Sequence, residues 1–142
     1  MQIAGSCHCG NISFSLDWPD DVPEIPARSC GCTFCVKHGG VWTSNPRARL
    51  RARITEPGMI ARYAFGTETA QFLVCARCGV APVVTSLIDG SMFAVVNVNS
   101  FDDVDRSRLH AQPASFDGED VSSRLDRRRR NWIADVVLAE GS

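Results

Sequence analysis

Seven cysteines gathered into three tight clusters constrain this 142-residue chain more than any other feature. They are Cys7-His8-Cys9, Cys30-Gly31-Cys32-Thr33-Phe34-Cys35 and Cys75-Ala76-Arg77-Cys78-Gly79, and every cysteine belongs to one of them. An odd number of thiols fits poorly with a disulfide framework, in which each sulfur needs a mate. The start of the chain, Met1 to Cys7, lacks a basic segment followed by an apolar run, so no secretory signal is read there and a cytoplasmic location is expected. In a reducing compartment, thiols this close together are metal ligands or catalytic groups more often than cystines.

The third cluster is C-x-x-C followed by glycine, the spacing at which a tight turn directs two sulfurs toward one ion about 2.3 Å from each. Zinc takes four ligands when it is structural, and three protein ligands plus an open position when it acts on a substrate. Seven thiols divide naturally as four plus three, giving an expectation of two zinc ions per chain. The two outer clusters would supply two ligands each and tie the start of the chain to its middle. The middle cluster would supply three and leave a corner open. Spacing alone also permits Cys7 and Cys9 to join two thiols of the middle cluster.

Around these clusters the chain reads as short strands. Asn11 to Leu16 alternates apolar and polar residues, and further candidates are Arg49 to Ile54, Ile60 to Phe65, Gln71 to Cys75, Val80 to Ser86 and Met92 to Val98, each bounded by turn formers. Three prolines and four acids between Asp17 and Pro26 suggest an exposed loop. Near the end, Asp117 can cap a helix from about Gly118 to Asn131, with acids in its first turn and Arg127 to Arg130 in its last. Val121 and Leu125 would give that helix a narrow apolar stripe, and Trp132 to Leu138 reads as a closing strand. The expectation is a single mainly β domain over residues 1–142 with one C-terminal helix. A formal net charge of -1 and 44% hydrophobic residues give no bulk field for nucleic acid and no membrane segment, so neither is expected as a partner.

Gly5-Ser6-Cys7-His8-Cys9-Gly10-Asn11-Ile12, then Cys30 to Gly40, then Phe72-Leu73-Val74-Cys75-Ala76-Arg77-Cys78-Gly79, resemble the glutathione-dependent formaldehyde-activating enzyme family, whose domain is shared with centromere protein V. Val96-Asn97-Val98-Asn99-Ser100-Phe101-Asp102-Asp103 continues the likeness, which covers roughly residues 4 to 110. All seven cysteine positions match. The resemblance implies a small, β-rich, Mss4-like domain in which Cys7, Cys9, Cys75 and Cys78 hold a structural zinc. It implies that Cys30, Cys32 and Cys35 are the ligands of a catalytic zinc. It further implies a carbon-sulfur lyase that joins a thiol such as glutathione to an aldehyde such as formaldehyde, or splits the adduct. Two departures stand out: Val80 where many members have threonine, and the Arg-rich segment in place of the family's terminal stretch.

Other residues are weaker candidates. Lys37 and His38 follow the three-thiol cluster closely enough to contact substrate. Arg47, Arg49, Arg51 and Arg53 lie at period two and could share one strand face as carboxylate receptors, although a solvated face explains them as well. His8 should point away from its flanking cysteines in an extended segment, and lone His110 is weak evidence for any role. Phe34, Trp42 and Tyr63 could wall a pocket, but aromatics of a small β domain are usually core. The run Arg127 to Arg130, flanked by acids, reads as a solvated helix face. The competing reading is a non-catalytic, zinc-stabilised module that contacts a protein or nucleic acid. A thiol redox role for Cys32 and Cys35 ranks last, because no βαβ pattern surrounds them.

Overall fold

The computed structural model describes residues 1–141. The chain runs β1 (Gln2–Ser6), β2 (Ile12–Asp17), β3 (Ile25–Cys30), α1 (Thr33–His38), β4 (Val41–Thr43), β5 (Arg49–Ile54), β6 (Ile60–Tyr63), β7 (Gln71–Cys75), β8 (Val83–Ile88), β9 (Ser91–Asn97), β10 (Leu109–Ala114), α2 (Val121–Asn131) and β11 (Asp135–Glu140). The strands form a four-stranded sheet, β1-β2-β5-β11, and a seven-stranded sheet, β10-β3-β4-β9-β8-β7-β6.

Alternation decides which faces meet. In the smaller sheet, Ile3, Ile12, Phe14, Leu16, Leu50, Ala52 and Ile54 are buried on one side, while Arg49, Arg51 and Arg53 are exposed on the other. The buried side joins Ile25, Leu73, Val83 and Val96 of the larger sheet in one core between the layers. Gly5 lies within this layer, opposite Phe14 in the β1-β2 register. A Cβ at Gly5 would overlap the Phe14 ring. Gly5→Ala is therefore expected to lower stability by about 1–3 kcal/mol as an overpacking change, read from the urea midpoint at unchanged slope.

The larger sheet is buried on both faces, because β8 carries apolar residues at successive positions: Val83 enters the inter-sheet core and Val84 the opposite side. Register builds that opposite side. Arg28 pairs with Trp42, Trp42 with Asn97, Val95 with Val84, and Val84 with Phe72. Directly paired residues share a face, so Arg28, Trp42, Val95, Val84 and Phe72 form a row across four strand junctions. This row is the floor of the functional site.

The mainly β architecture with one longer C-terminal helix agrees with the reading of the sequence, and β5 and β7 have the expected limits. Several boundaries differ. The candidate at Val80 to Ser86 begins only at Val83, the one ending at Phe65 stops at Tyr63, and the closing strand starts at Asp135. The α2 helix starts at Val121, not Gly118, because the Asp120 carboxylate accepts the Ser123 N–H at 2.7 Å and serves as the cap expected of Asp117. Its proposed apolar stripe fails as well, since Val121 is exposed. His8 sits in a turn and not in an extended segment. Its side chain is exposed.

Candidate metal centre

Two of the cysteine clusters come together exactly where two tight turns end neighbouring strands of different sheets. After β1, the Cys7 carbonyl accepts from Gly10 at 3.1 Å and the Cys7 N–H donates to the Ile12 carbonyl at 2.8 Å. After β7, the Cys75 carbonyl accepts from Gly79 at 2.8 Å and the Cys75 N–H donates to Val80 at 3.0 Å. Both turns need a left-handed residue, and Gly10 and Gly79 supply it with φ of 85° and 82°. The backbone then points at sulfur: Ile12 N–H donates to Cys7 Sγ at 3.3 Å and Cys78 N–H to Cys75 Sγ at 3.5 Å.

These turns bring Cys7, Cys9, Cys75 and Cys78 together with all four sulfurs within 4.8 Å of one another. Cys7 and Cys9 sulfurs are 3.8 Å apart, and Cys9 and Cys75 sulfurs 3.5 Å. A tetrahedron of sulfurs about 2.3 Å from a central zinc has edges of about 3.8 Å, so the donor set and its spacing fit such an ion. Burial pushes the Cys7 thiol up to about 12 without one. The alternative pairing of Cys7 and Cys9 with the middle cluster does not occur.

The middle cluster forms a separate group. Cys30 ends β3, Cys32 caps α1 by accepting the Cys35 N–H at 3.4 Å, and Cys35 lies one turn inside that helix, which terminates at Gly39. All three sulfurs lie within 4.8 Å of one another. Cys35 is buried, whereas Cys30 and Cys32 are partly open. A hydrogen bond from Cys35 holds the Cys30 thiol down to about 5, and the same bond raises Cys35. Three converging sulfurs, one of them readily ionised, suit a divalent ion with one position left for another ligand.

The three thiols line one end of a cavity of about 170 Å3 over the Trp42, Phe72, Val84 and Val95 floor. Another part of its wall comes from the C-terminal part of the chain. Strand β10 runs parallel to β3 with Ala114 opposite Cys30, and the Gly31 N–H bonds the Ala114 carbonyl at 2.9 Å. The chain is thereby led past the thiols, adding Phe116 and Asp117 to the lining, and α2 then contributes Arg124, Arg127 and Arg128.

This corrects the reading of Arg127 to Arg130 as a solvated face. Arg129 and Arg130 are exposed, but Arg128 is only 6% exposed. Its guanidinium donates to Thr69 Oγ1 at 2.8 Å and Ser86 Oγ at 3.1 Å and lies over the Trp132 ring. Arg28 reaches the same cavity from β3 and donates to Ser44 Oγ at 3.1 Å. Burial, reinforced by neighbouring Arg127 and Arg124, holds Arg128 down to about 10, and burial likewise lowers Arg28. The sequence signal for this wall was the arginine run, which does not announce a cavity.

Glu119, just before the α2 cap, is the counter-charge to the helix's arginines. It takes two hydrogen bonds from Arg127, at 2.9 and 3.1 Å, and lies 3.4 Å from Arg124. The Arg127 hydrogen bonds hold its carboxyl below the usual glutamate range. A depressed folded-state value means stability that is present above the unfolded value, about 4.3, and is lost as pH falls through the folded one. Glu119→Gln should therefore flatten the acid limb of the stability-pH curve below about pH 4.3. Unfolding midpoints across that range check it, and an unchanged acid limb would count against this pair.

The remaining candidates lie apart from this cavity. Lys37 and His38 line a neighbouring groove with Thr33, Phe34, Tyr63 and Phe65, none of them but Phe65 lining the cavity as well. Phe34 stacks on His38, with ring centroids 5.4 Å apart. Trp42 walls the cavity itself, while Phe34 and Tyr63 wall only the groove. Arg47, Arg49 and Arg51 pair with Asp21 and Asp135 on the outside of the smaller sheet, as a solvated face does.

A family model described as glutathione-dependent formaldehyde-activating enzyme matches residues 2–117. Among solved structures, a crystal structure of a Rhodobacter sphaeroides protein from structural genomics is similar at 23% identity and a TM-score of 0.56. The match covers 78% of this chain and 99% of that one and shows a shared fold.

Proposed function

This chain belongs to the glutathione-dependent formaldehyde-activating enzyme family, and from that premise we propose that it is a zinc-dependent carbon-sulfur lyase acting on a thiol-aldehyde adduct. The observation that carries the reading is the contrast between the two cysteine groups. One has the four sulfurs a structural zinc needs; the other has three and opens onto a cavity. Cys7, Cys9, Cys75 and Cys78 would hold the structural ion, and Cys30, Cys32 and Cys35 the catalytic one. Bound there, zinc supplies a positive charge that favours the thiolate form of an incoming thiol at neutral pH.

In the forming direction the thiol sulfur bonds to the aldehyde carbon, the carbonyl π pair moves to oxygen, and the thiol proton ends on the new hydroxyl. The reverse splits the same bond, so no oxidant or reductant is consumed. The chain's own residues do the positioning. Trp42, Phe72 and Val95 make an apolar floor that excludes water beneath the three thiols. Cys35, buried against Trp42 and capped through Cys32, fixes the loop that presents Cys30. A reducing cytoplasmic setting belongs to the same proposal, since thiols that serve as metal ligands must stay reduced. Lys37 and His38, set on the adjoining groove, could touch only a part of the substrate that extends out of the cavity.

The test combines metal content with turnover. Protein purified without added metal should carry two zinc ions per chain by elemental mass spectrometry, and it should accelerate hemithioacetal formation from glutathione and formaldehyde over the spontaneous rate. A protein that holds two zinc ions and accelerates no thiol-aldehyde pair would overturn the lyase reading and favour the binding module.

A further inference from the structure

The family match ends at residue 117, yet the cavity is closed by residues that come after it: Arg124, Arg127, Arg128 and Trp132. Four guanidinium groups, counting Arg28, thus meet around one small space from two distant parts of the sequence. Gathering like charges there is unfavourable unless something negative offsets them. Glu119 serves Arg127 and Arg124, and Asp117 is the other carboxylate at the wall. Among the described residues neither Arg28 nor Arg128 has a carboxylate partner; both donate to neutral oxygens and, for Arg128, a ring face is close.

The donors are also incompletely used. Arg128 is 6% exposed, and among the described residues its buried Nε has no hydrogen-bond acceptor, whereas Nε of Arg124 faces Glu119 at 3.4 Å and Trp42 is turned to the Cys35 thiol. A buried donor of this kind ordinarily finds a partner, so Arg128 in the wall of a cavity that Arg28, Arg124 and Arg127 also line marks a place for an acceptor-rich ligand. Three thiolates holding a divalent ion would carry about one net negative charge, which leaves the four arginines, set against Glu119 and Asp117, in excess.

We propose that helix α2 adds a carboxylate-binding subsite to the cavity, in which Arg28, Arg124, Arg127 and Arg128 receive the carboxylate of a substrate whose sulfur faces Cys30, Cys32 and Cys35. The carboxylate part stands on the arginines alone; the orientation of the sulfur rests on the lyase reading above. A planar guanidinium matches a carboxylate with two parallel N–H···O bonds, and the walls keep that pair out of water. Substrates are then carboxylate-bearing thiols or their aldehyde adducts, selected by this chain's own C-terminal segment.

Binding of 3-mercaptopropionate, its neutral amide 3-mercaptopropionamide and the thiol-free carboxylate succinate to the zinc-loaded protein separates the parts. Trp42 and Trp132 both line the cavity, so quenching of tryptophan fluorescence reports occupancy, with calorimetry as the check. The acid should bind at least about tenfold tighter than the amide, the scale of a charge-assisted hydrogen bond. Succinate should compete with it. Arg124→Gln should remove most of that preference while leaving amide binding in place, and Arg128→Met should do the same if it folds. Equal affinity for acid and amide, or a preference that Arg124→Gln leaves intact, would overturn the subsite and leave the arginines as anchors of α2. Arginine-dependent binding of carboxylates without turnover of any thiol-aldehyde pair would keep the subsite and sink the lyase reading instead.

Discussion

Cys75→Ser should abolish the folded state and not merely weaken it. The Cys75 side chain is 1% exposed at the end of β7, and its sulfur lies 3.5 Å from that of Cys9, which follows β1 in the other sheet. The four-cysteine group is therefore a staple between the layers at one end of the inter-sheet core. Structural zinc sites contribute about 10–16 kcal/mol of apparent binding free energy. A domain of this size has a net stability of only about 5–15 kcal/mol. Removing a buried ligand leaves three thiols converging without a full tetrahedron, and the loss is comparable to everything the fold has in reserve. The expected observation is collapsed amide dispersion in a proton NMR spectrum and no cooperative thermal transition, with the same outcome for the unaltered protein after stripping by a strong chelator. A Cys75→Ser protein that still melts cooperatively near the original midpoint would show that the staple is not what holds the sheets together.

The double substitution Cys30→Ser, Cys32→Ser should have the opposite profile: a folded protein with one zinc fewer and almost no turnover. These two sulfurs are partly open at the cavity wall, so they add little to the core. Serine at position 32 also keeps the α1 cap, since its hydroxyl can accept the Cys35 N–H now received by Cys32 Sγ. Cys35 is left alone because it is 4% exposed among Trp42 and Phe72, where a hydroxyl would be costly. Loss of even an outer partner of a metal ligand costs 10–100-fold in affinity or activity, so loss of two ligands should reduce turnover by more than about 100-fold. Circular dichroism melts within a few degrees of the original, zinc counts falling from two to one, and hemithioacetal kinetics together check this. Unfolding comparable to that of Cys75→Ser would instead make the second group structural.

Comparing these two sites with the rest of the molecule shows what a linear reading can reach. The ligands in each cluster are two to five residues apart, so turns of a few residues, marked by Gly10 and Gly79, bring them together locally. The strand β5 was legible because one buried face imposes period two, whereas β7, buried on both faces, was legible as a short apolar run bounded by turn formers. The short elements were not: α1 has six residues and β4 has three, too few to display a period, and α1 is capped by a cysteine, which no capping preference would single out. Strand β10, pairing parallel to β3 across about 80 residues of sequence, has exposed residues through most of its length and no alternation to announce it.

By itself, then, the sequence determined the ligand-like spacing of the cysteines and the β class, because both are written over the length of a turn or a strand. The pairing of Cys7 and Cys9 with Cys75 and Cys78 was left open until β1 and β7 were seen to end side by side. The arginine run was misread for the same reason. Whether a guanidinium on α2 faces water or a cavity depends on where that helix lands, and that is decided by β10 laying the chain along β3 and by Ser86 and Thr69 meeting Arg128. A charged side chain carries no mark of its own burial; only the tertiary structure supplies the partners that permit it.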